Sequence, residues 1–291
     1  MGFSLDELRE EIESGRRKRE GMRRAPSARK RFRLEKGGLA MRSLTMLGAA
    51  LILFAGVSTF LPEAPAQTQT VSGSGSERQI PIYRVETDEK KVAISFDAAW
   101  GADKTSGIMD ILEEYDVQAT FYLVGFWVDK YPEKVQEINE RGFELGNHSS
   151  THPKMTTLTA EQMLLEVNTC TDKIEKLTGV RTRLFRPPYG DYNDEMVRVL
   201  RGAGYEVTQW NTDSLDWKNL GVQSMVSQVT KNVQPGDLVL FHNNSDHILE
   251  ALPLILTWFQ NNGYQVMNVG DLLLEGDFYV DHTGMMRAVV Q

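Results

Sequence analysis

Polar side chains that can bind metals or exchange protons follow several apolar runs of the sequence, at the points where the runs end. Three of the five histidines stand at such points, together with three carboxylates and one arginine. These residues are Asp97, His148, His152, Arg186, Asp213, Asp216 and His242. Imidazoles and carboxylates are common zinc ligands and common general acids and bases. Ordinary loop residues would not be expected to gather every such class at the run ends.

His148 and His152 are four residues apart, a spacing at which both can contact one metal ion from a helical turn or a wide loop. Two histidines alone are a weak metal signal, because surface or capping positions also explain such a pair. Taken singly, His242 could be a hydrogen-bonded core residue and Arg186 half of a structural ion pair. The sequence contains no His-Glu-x-x-His motif, which argues against a metalloprotease.

The apolar runs are typical of strands, and amphipathic helical stretches separate them. The predicted strands are Val92–Phe96, Ala119–Val124, Phe143–Gly146, Leu184–Arg186, Glu206–Gln209, Leu238–Phe241 and Gln265–Val269. The predicted helices are Ser106–Tyr115, Pro132–Arg141, Ala160–Leu177, Asp194–Ala203, Gln223–Lys231 and Asp246–Asn262. Nearly continuous apolar strands that alternate with helices indicate an α/β fold with a parallel sheet. Seven such repeats are sufficient to form a barrel, in which chemistry collects at the C-terminal strand ends.

Charge is distributed unevenly along the 291 residues. Residues 1–42 contain 13 Lys and Arg against 7 Asp and Glu, whereas the remaining residues carry a net charge of −14. The acidic body lacks the clustered Lys and Arg that neutralise phosphates. The sequence therefore argues against a nucleic-acid partner for the body.

An uncharged apolar run, Leu44–Leu61, follows the basic segment. Eighteen residues of helix span about 27 Å, which is close to the thickness of a bilayer core. Basic residues before such a run favour a cytoplasmic N-terminus. We expect a retained anchor that associates with the membrane and exports the body. A signal peptide cleaved near Ala64-Pro65-Ala66, which would also export the body, and a buried core helix are the alternatives.

The sequence thus predicts four segments. They are a basic cytoplasmic segment (1–42), a single transmembrane anchor (43–62), a linker (63–79) and one catalytic domain (80–291). Ser4-Leu5-Asp6-Glu7 is a capping-box pattern that predicts a short charged helix at the start of the first segment. Cys170 has no partner cysteine, and its place in a helical pattern predicts a small buried residue.

Four motifs, in chain order, carry a resemblance to a known family. They are His148-Ser149-Ser150-Thr151-His152, Arg186-Pro187-Pro188-Tyr189-Gly190, Asp213-Ser214-Leu215-Asp216-Trp217 and Leu240-Phe241-His242. With these motifs, residues 91–275 resemble the NodB-homology polysaccharide deacetylases, the fourth carbohydrate esterase family. The resemblance implies a distorted seven-stranded (β/α) barrel and the hydrolysis of N-acetyl groups on amino sugars.

The resemblance also implies roles for the matching residues. His148 and His152 would bind a divalent metal, zinc or cobalt, which acidifies a bound water and polarises the amide carbonyl. Asp97 would be the general base, and its ion pair with Arg186 would keep it ionised. The backbone N–H of Tyr189 would help to stabilise the oxyanion.

The resemblance assigns the remaining roles to the opposite side of the site. His242 would protonate the departing amine, and Asp216 would hold its other ring nitrogen and favour the charged form. Trp217 and Leu240 would form the walls of a small pocket for the acetyl methyl group. The resemblance therefore implies a complete acid–base pair.

The first motif departs from the family pattern. The family has Thr-Phe-Asp-Asp-Gly, whereas this chain has Ser95-Phe96-Asp97-Ala98-Ala99. Ala98 therefore stands where the family has a carboxylate metal ligand, and two protein ligands are too few for a catalytic zinc. Three interpretations are open. Asp103 reaches the metal from the following loop, Asp97 itself becomes a ligand, or the site binds metal poorly.

The sequence therefore predicts a metal-dependent N-deacetylase of a cell-wall glycan, with peptidoglycan or a related amino-sugar polymer as its substrate. The predicted location is the cell membrane, with one membrane pass and the catalytic domain outside the cytoplasm. The alternative is a non-catalytic glycan-binding or scaffold protein with a degenerate deacetylase site. Stoichiometric metal together with acetate release would distinguish the enzyme from the scaffold.

Overall fold

The computed structural model describes residues 4–23 and 78–289. Its helices are α1 (Leu5–Arg23), α2 (Thr105–Glu114), α3 (Gly125–Lys130), α4 (Pro132–Glu140), α5 (Ala160–Thr178), α6 (Asp194–Gly202), α7 (Val222–Asn232), α8 (Ile248–Asn261) and α9 (Val269–Leu272). Its strands are β1 (Arg84–Val85), β2 (Lys91–Ala98), β3 (Thr120–Leu123), β4 (Glu144–Asn147), β5 (Leu184–Phe185), β6 (Glu206–Val207), β7 (Thr212–Asp213), β8 (Leu238–His242), β9 (Gln265–Met267), β10 (Phe278–Val280) and β11 (Met285–Ala288).

The main sheet has the strand order β6-β5-β4-β3-β2-β8-β7, and every neighbouring pair is parallel. The short strand β9 pairs with the first residues of β2. The sheet curls into a half-barrel, and β1, β11 and β10 form a separate small sheet. The α/β fold with a curled parallel sheet is confirmed, although the sheet is an open half-barrel.

Every predicted strand and helix overlaps an observed element of the same type. The elements that the sequence did not predict are β1, β7, β10, β11, α3 and α9. These elements have at most six residues each, and a run of that length contains too few positions to show a reliable period. The periodic elements were therefore predictable, and the short ones were not.

Aromatic packing fixes the end of the central strand. The ring of Phe96 in β2 stacks on Phe121 of β3, with centroids 5.1 Å apart, and on Phe241 of β8, with centroids 5.5 Å apart. All three side chains are fully buried. Burial on both faces is expected of a parallel strand that helices cover. This packing holds the next residue of β2, Asp97, in a fixed position.

The segment 80–85 joins the edge strand β6 to the residues that lead into β8. The Ile82 N–H donates to the Val207 carbonyl of β6 over 2.9 Å. Three residues later, the Val85 N–H donates to the Gly236 carbonyl over 2.8 Å, just before β8. Gly236 has φ of 83°, and a Cβ at this position would collide with the Val85 carbonyl, so the contact requires glycine.

Helix α1 packs against the barrel through a short apolar stripe. Leu8 is 2% exposed, and Leu5 and Ile12 also contact the main hydrophobic core. Arg16 forms an ion pair with Glu114 at the end of α2, with 3.3 Å between Nε and Oε1. The helix is therefore part of the same compact unit as the barrel up to residue 19.

The predicted capping box is present, since the Glu7 N–H donates to Ser4 Oγ and the Ser4 N–H donates to a Glu7 carboxylate oxygen. The predicted anchor over residues 43–62 lies outside the described residues. Among the helices that the structure describes, none is long and apolar enough to cross a bilayer. The membrane pass over residues 43–62 therefore stays a prediction, and it and the packing of α1 on the barrel are alternative arrangements, because a single pass between them would place them on opposite sides of a membrane.

Cysteine labelling of intact cells distinguishes these two arrangements. Cys170 is the only cysteine, and burial raises its pKa to about 12, so it should give little background. Ser14→Cys on α1 and Glu133→Cys on α4 each place one thiol at an exposed position. Because the basic residues before Leu44–Leu61 favour a cytoplasmic N-terminus, we expect a membrane-impermeant maleimide to label Glu133→Cys and to leave Ser14→Cys unlabelled. Equal labelling of both variants would instead support packing of α1 on the barrel in the cell.

Candidate active site

The strand order brings the predicted residues to one face of the half-barrel. Asp97 of β2 lies directly beside His242 of β8 in the sheet register. On the other side of β2, beyond β3, His148 follows β4 and Arg186 follows β5. Asp216 follows β7, which is the outer neighbour of β8. The C-terminal ends of parallel strands meet at one edge, so these side chains share a site.

Asp97 is buried and paired with Arg186. The Arg186 Nη1 donates to Asp97 Oδ1 over 2.8 Å, and its Nη2 donates to the Gln209 carbonyl over 3.1 Å. The guanidinium is fully buried and lies 4.1 Å from the ring centroid of Tyr122. Burial, the largest single effect, raises the pKa of Asp97, but the charges of Arg186, His148 and His242 and the Arg186 hydrogen bond together outweigh it and lower that pKa. Asp97 is therefore an ionised carboxylate near neutral pH.

His242 is held by Asp216 through two contacts. Its Nδ1 donates to Asp216 Oδ1 over 2.7 Å, and its backbone N–H donates to Oδ2 over 2.7 Å. Burial lowers the pKa of His242, but the hydrogen bond and charge of Asp216 raise it above its ordinary value. Because Nδ1 is hydrogen-bonded to Asp216, the other ring nitrogen, Nε2, is the one that can contact a substrate. The pair is suited to donating a proton.

The two motif histidines lie together on the other side of Asp97. Their ring centroids are 4.9 Å apart. The His148 Nδ1 contacts the Arg186 carbonyl over 2.7 Å, which assigns the ring hydrogen to Nδ1 and leaves Nε2 as the lone pair, 3.5 Å from Asp97 Oδ2. Burial lowers the pKa of His148, and burial together with His148 lowers the pKa of His152 to about 4. Both imidazoles are therefore neutral, as metal ligands must be.

The histidine pair fits a divalent ion as two of its ligands. His152 Nδ1 is buried and has no hydrogen-bond partner among the described residues, and an ion would satisfy it. Catalytic zinc sites have three protein ligands. The described parts of the chain contain no group of three His, Cys, Asp or Glu side chains arranged for one ion, and the buried Ala98 offers only a methyl group. The described residues thus supply two of the three protein ligands that a catalytic zinc site requires.

Asp103, the other candidate for the third ligand, lies in the turn after β2. It is exposed, and its carboxylate lies beside Gly101. The turn is fixed because the Gly101 carbonyl accepts hydrogen bonds from Trp127 Nε1 over 2.7 Å and from Asn243 Nδ2 over 2.8 Å. Among the described residues Asp103 forms no three-ligand group with the two histidines, which argues against it as a ligand, and its role stays a prediction.

Ala98→Asp is expected to tighten the binding of Zn²⁺ by more than about tenfold, because loss of even an outer-sphere partner costs about 10–100-fold in metal affinity. Without metal, the buried new carboxylate should lower the melting temperature, and zinc should restore it. Titration against a chromophoric chelator measures the affinity. Ala98→Asn, which adds the same volume without a charge, is the matched control. Equal affinity in wild type and Ala98→Asp would show that another group already completes the site.

Four non-glycine residues around the site have left-handed backbone conformations. They are Ser149, His152, Tyr189 and Leu215, with φ of 69°, 59°, 60° and 53°. Such conformations cost about 1–3 kcal/mol each and concentrate at functional sites. The Tyr189 ring is 63% exposed and its centroid lies 4.5 Å from that of His152. Donation by the Tyr189 N–H to an oxyanion stays a prediction.

The two predicted pocket residues lie on the His242 side of the site. Trp217 is in the short turn after β7 and is 60% exposed, whereas Leu240 of β8 is 2% exposed. Sequence reasoning missed Glu166 of α5, whose carboxylate accepts the backbone N–H groups of Ser150 and Thr151 over 2.9 and 2.8 Å. Glu166 therefore fixes the loop that carries both histidines. A glutamate on an amphipathic helix gives no sequence signal of such a contact.

Comparison with known proteins finds relatives over the same region. The family model described as polysaccharide deacetylase matches residues 84–208. A peptidoglycan-N-acetylglucosamine deacetylase of Bacillus cereus is 34% identical over 196 residues, which cover 66% of this chain and 92% of the relative. The peptidoglycan-N-acetylmuramic acid deacetylase PdaA of Bacillus subtilis is 29% identical over 203 residues, which cover 68% and 77%.

Solved structures include a relative of a different kind. A CE4 family pseudoenzyme from Bacillus anthracis superimposes with a TM-score of 0.65 and 32% identity, covering 72% of this chain and 71% of that chain. A mutant of that protein, described as having restored enzymatic activity, superimposes with a TM-score of 0.65 and 33% identity. The chain is therefore similar both to named deacetylases and to a named pseudoenzyme.

Proposed function

Because the chain belongs to the polysaccharide deacetylase family, we propose that it hydrolyses the N-acetyl group of an amino sugar in a cell-wall glycan, peptidoglycan or a related polymer. The observation that carries the proposal is the supported acid–base pair, with Asp97 bound to Arg186 and His242 bound to Asp216. The relatives' names state peptidoglycan as their substrate, which supports the substrate class.

Asp97 acts on the attacking water. Its pKa is low, so the carboxylate is free to accept the proton of a water that attacks the acetamide carbon. Arg186 keeps the carboxylate oriented through the 2.8 Å hydrogen bond to Oδ1, which leaves Oδ2 toward His148. A divalent ion held by His148 and His152 would acidify that water and polarise the acetamide carbonyl.

His242 acts on the leaving group. The amine of the sugar leaves only when its nitrogen is protonated, and the imidazolium of His242 is the nearby acid. Asp216 holds Nδ1, so the proton is delivered from Nε2. His242 and Asp97 lie on adjacent strands, so the acid can contact the leaving amine while the base contacts the attacking water.

Acetate release tests the proposal. The full-length protein, loaded with zinc or cobalt, is incubated with an N-acetylglucosamine tetramer and with peptidoglycan. We expect acetate and free amine in equal amounts from at least one of them, with higher rates for Ala98→Asp because the third ligand retains the ion. Absence of acetate from both proteins on both substrates would contradict the proposed activity.

The second candidate is glycan binding without hydrolysis, and the residue that favours it is Ala98. Its fully buried methyl group stands where the family has a carboxylate ligand, and the pseudoenzyme relative shows that the fold exists in a form without activity. Binding of the tetramer by wild type with acetate release only from Ala98→Asp would support this candidate. Acetate release from wild type would favour the enzyme.

A cell-wall substrate lies outside the cytoplasm, so the proposed function includes export of the barrel. The basic residues that precede Leu44–Leu61 support export, since this order of segments is typical of a secreted or anchored chain. The maleimide experiment above tests this part independently of catalysis. Protection of Glu133→Cys from an impermeant reagent would contradict export.

A further inference from the structure

Trp100 is an exposed tryptophan at the edge of the candidate site, and the proposed mechanism does not use it. Its side chain is 56% exposed, whereas Trp127, which contacts the same turn, is fully buried. A tryptophan side chain stabilises a fold mainly through the surface that it buries, so the exposed surface of Trp100 contributes little to stability. The Tyr189 ring nearby is 63% exposed, and exposed apolar patches that polar residues surround mark binding sites.

The turn that carries Trp100 is rigid. Trp100 lies two residues after the end of β2 and directly before Gly101, whose φ is 63°. The Gly101 carbonyl is held from two sides, by Trp127 Nε1 and by Asn243 Nδ2. The Trp100 ring also contacts Phe126, with centroids 6.3 Å apart. The indole is therefore held in place before any ligand arrives, which lowers the entropy cost of binding.

Trp100 and Tyr189 flank the ring of His152. The Trp100 centroid lies 5.1 Å from that of His152 at an interplanar angle of 69°, and the Tyr189 centroid lies 4.5 Å away at 73°. Both aromatic rings are more than half exposed. Trp217, also exposed, follows β7 on the opposite side of Asp97. Exposed aromatic rings therefore border the acid–base pair on both sides.

A sugar polymer is the ligand class that matches this arrangement. The axial C–H groups of a β-linked pyranose form an apolar face, and they carry the small positive charge that the face of an aromatic ring attracts. An extended polymer that crosses the strand ends would place successive rings over the His152 side and the Trp217 side. A compact ligand cannot contact rings on both sides of the site at once, and the negative face of an aromatic ring does not attract an anion.

We propose that Trp100 is a stacking platform for the sugar ring next to the one that is deacetylated. The proposal rests on the proposed function for the identity of the ligand, but it concerns binding and not catalysis. Trp100 contacts His152 rather than the Asp97–His242 pair, so its stacked ring is a neighbour of the reacting sugar. Affinity should therefore depend on Trp100 only for oligomers.

Calorimetric titration with N-acetylglucosamine and its tetramer tests the proposal. All variants carry Asp97→Asn in the full-length chain, so that turnover does not consume the ligand. We expect Trp100→Ala to raise the Kd of the tetramer by about 3- to 10-fold, the scale of one aromatic contact. Trp100→Phe should retain most of the affinity. Tyr279→Ala, which removes an aromatic ring that is 52% exposed on β10, is the matched control and should change nothing.

The outcomes separate this proposal from the proposed function. Tetramer binding that depends on Trp100, together with no acetate release from the metal-loaded proteins that retain Asp97, would sustain the platform and reject the activity. Acetate release together with an unchanged tetramer Kd in Trp100→Ala would reject the platform and sustain the activity. An equal loss of affinity for monomer and tetramer would also overturn the proposal, because Trp100 would then contact the reacting sugar. Thermal unfolding of each variant verifies that the fold is intact.

Discussion

Asp97→Asn is expected to lower turnover by about 10²–10⁴-fold, the usual contribution of a general base. The asparagine amide keeps the size of the side chain but cannot accept a proton from water. Its oxygen can still accept the hydrogen bond that Arg186 donates to Oδ1 in the wild type. The loss should therefore appear in kcat, with the binding of substrate little changed. Initial rates of acetate release at saturating tetramer measure it.

Asp103→Asn is the matched control for this change. It removes one carboxylate from the same turn region, six residues away, but from an exposed position. We expect its turnover to equal that of the wild type. Asp97→Asn also leaves the buried Arg186 without its anion, which costs stability, so thermal unfolding must show that the variant is folded under assay conditions. Equal turnover in Asp97→Asn and wild type would reject Asp97 as the base.

His242→Ala is expected to lower turnover by a similar factor, about 10²–10⁴-fold, and to change its pH dependence. The pKa of His242 is raised, so the ring is protonated below that pKa and loses its proton as pH rises through it. Activity of the wild type should therefore fall on the alkaline side of the profile. Removal of the imidazole should abolish this alkaline limb while the zinc content stays constant.

Asp216→Asn tests the cause of the raised pKa of His242. Without the carboxylate, the hydrogen bond and charge that favour the imidazolium are lost, and the pKa of His242 falls. The alkaline limb should then move to lower pH, with a milder loss of turnover than in His242→Ala. Asp213→Asn, at the end of β7, removes a charge that also raises the pKa of His242 but leaves the Asp216 hydrogen bond in place, so it should move the limb less than Asp216→Asn. An alkaline limb that stays in place in Asp216→Asn would mean that another group titrates there.

The strands and the site residues at their ends were predictable because both follow from local chain order. An apolar run such as Val92–Phe96 indicates a buried strand from the local sequence alone. Parallel pairing then places the C-terminal ends of such strands at one edge of the sheet. Asp97 and His242 were placed correctly on one face for this reason. What required the structure was the spatial order of the strands, which makes β2 and β8, the strands of these two residues, direct neighbours.

The remaining parts of the site depend on contacts between distant segments. Glu166 holds the histidine loop from the middle of α5, and Trp127 holds the turn of Trp100 from α3. Neither residue has a spacing that distinguishes it from an ordinary helical position. The burial of Leu8 against the barrel was unpredictable for the same reason, since the other buried residues of that core begin only at Val92. A sequence pattern shows which face of a helix or strand is apolar, but it does not show which distant segment packs against that face.

The bridging segment 80–85 makes closure of the half-barrel a late step in folding. Arg84 hydrogen-bonds to Gln234, which is 150 residues later in the chain. The entropy of closing so large a loop must be overcome before these contacts contribute, and contacts of this range slow folding. If the chain emerges N-terminus first, residues 80–85 appear long before the strands that they join. Until β6 forms and pairs with Ile82, the backbone groups of residues 80–85 and the edge of β6 stay open to pairing with other chains, so folding yield should fall as protein concentration rises.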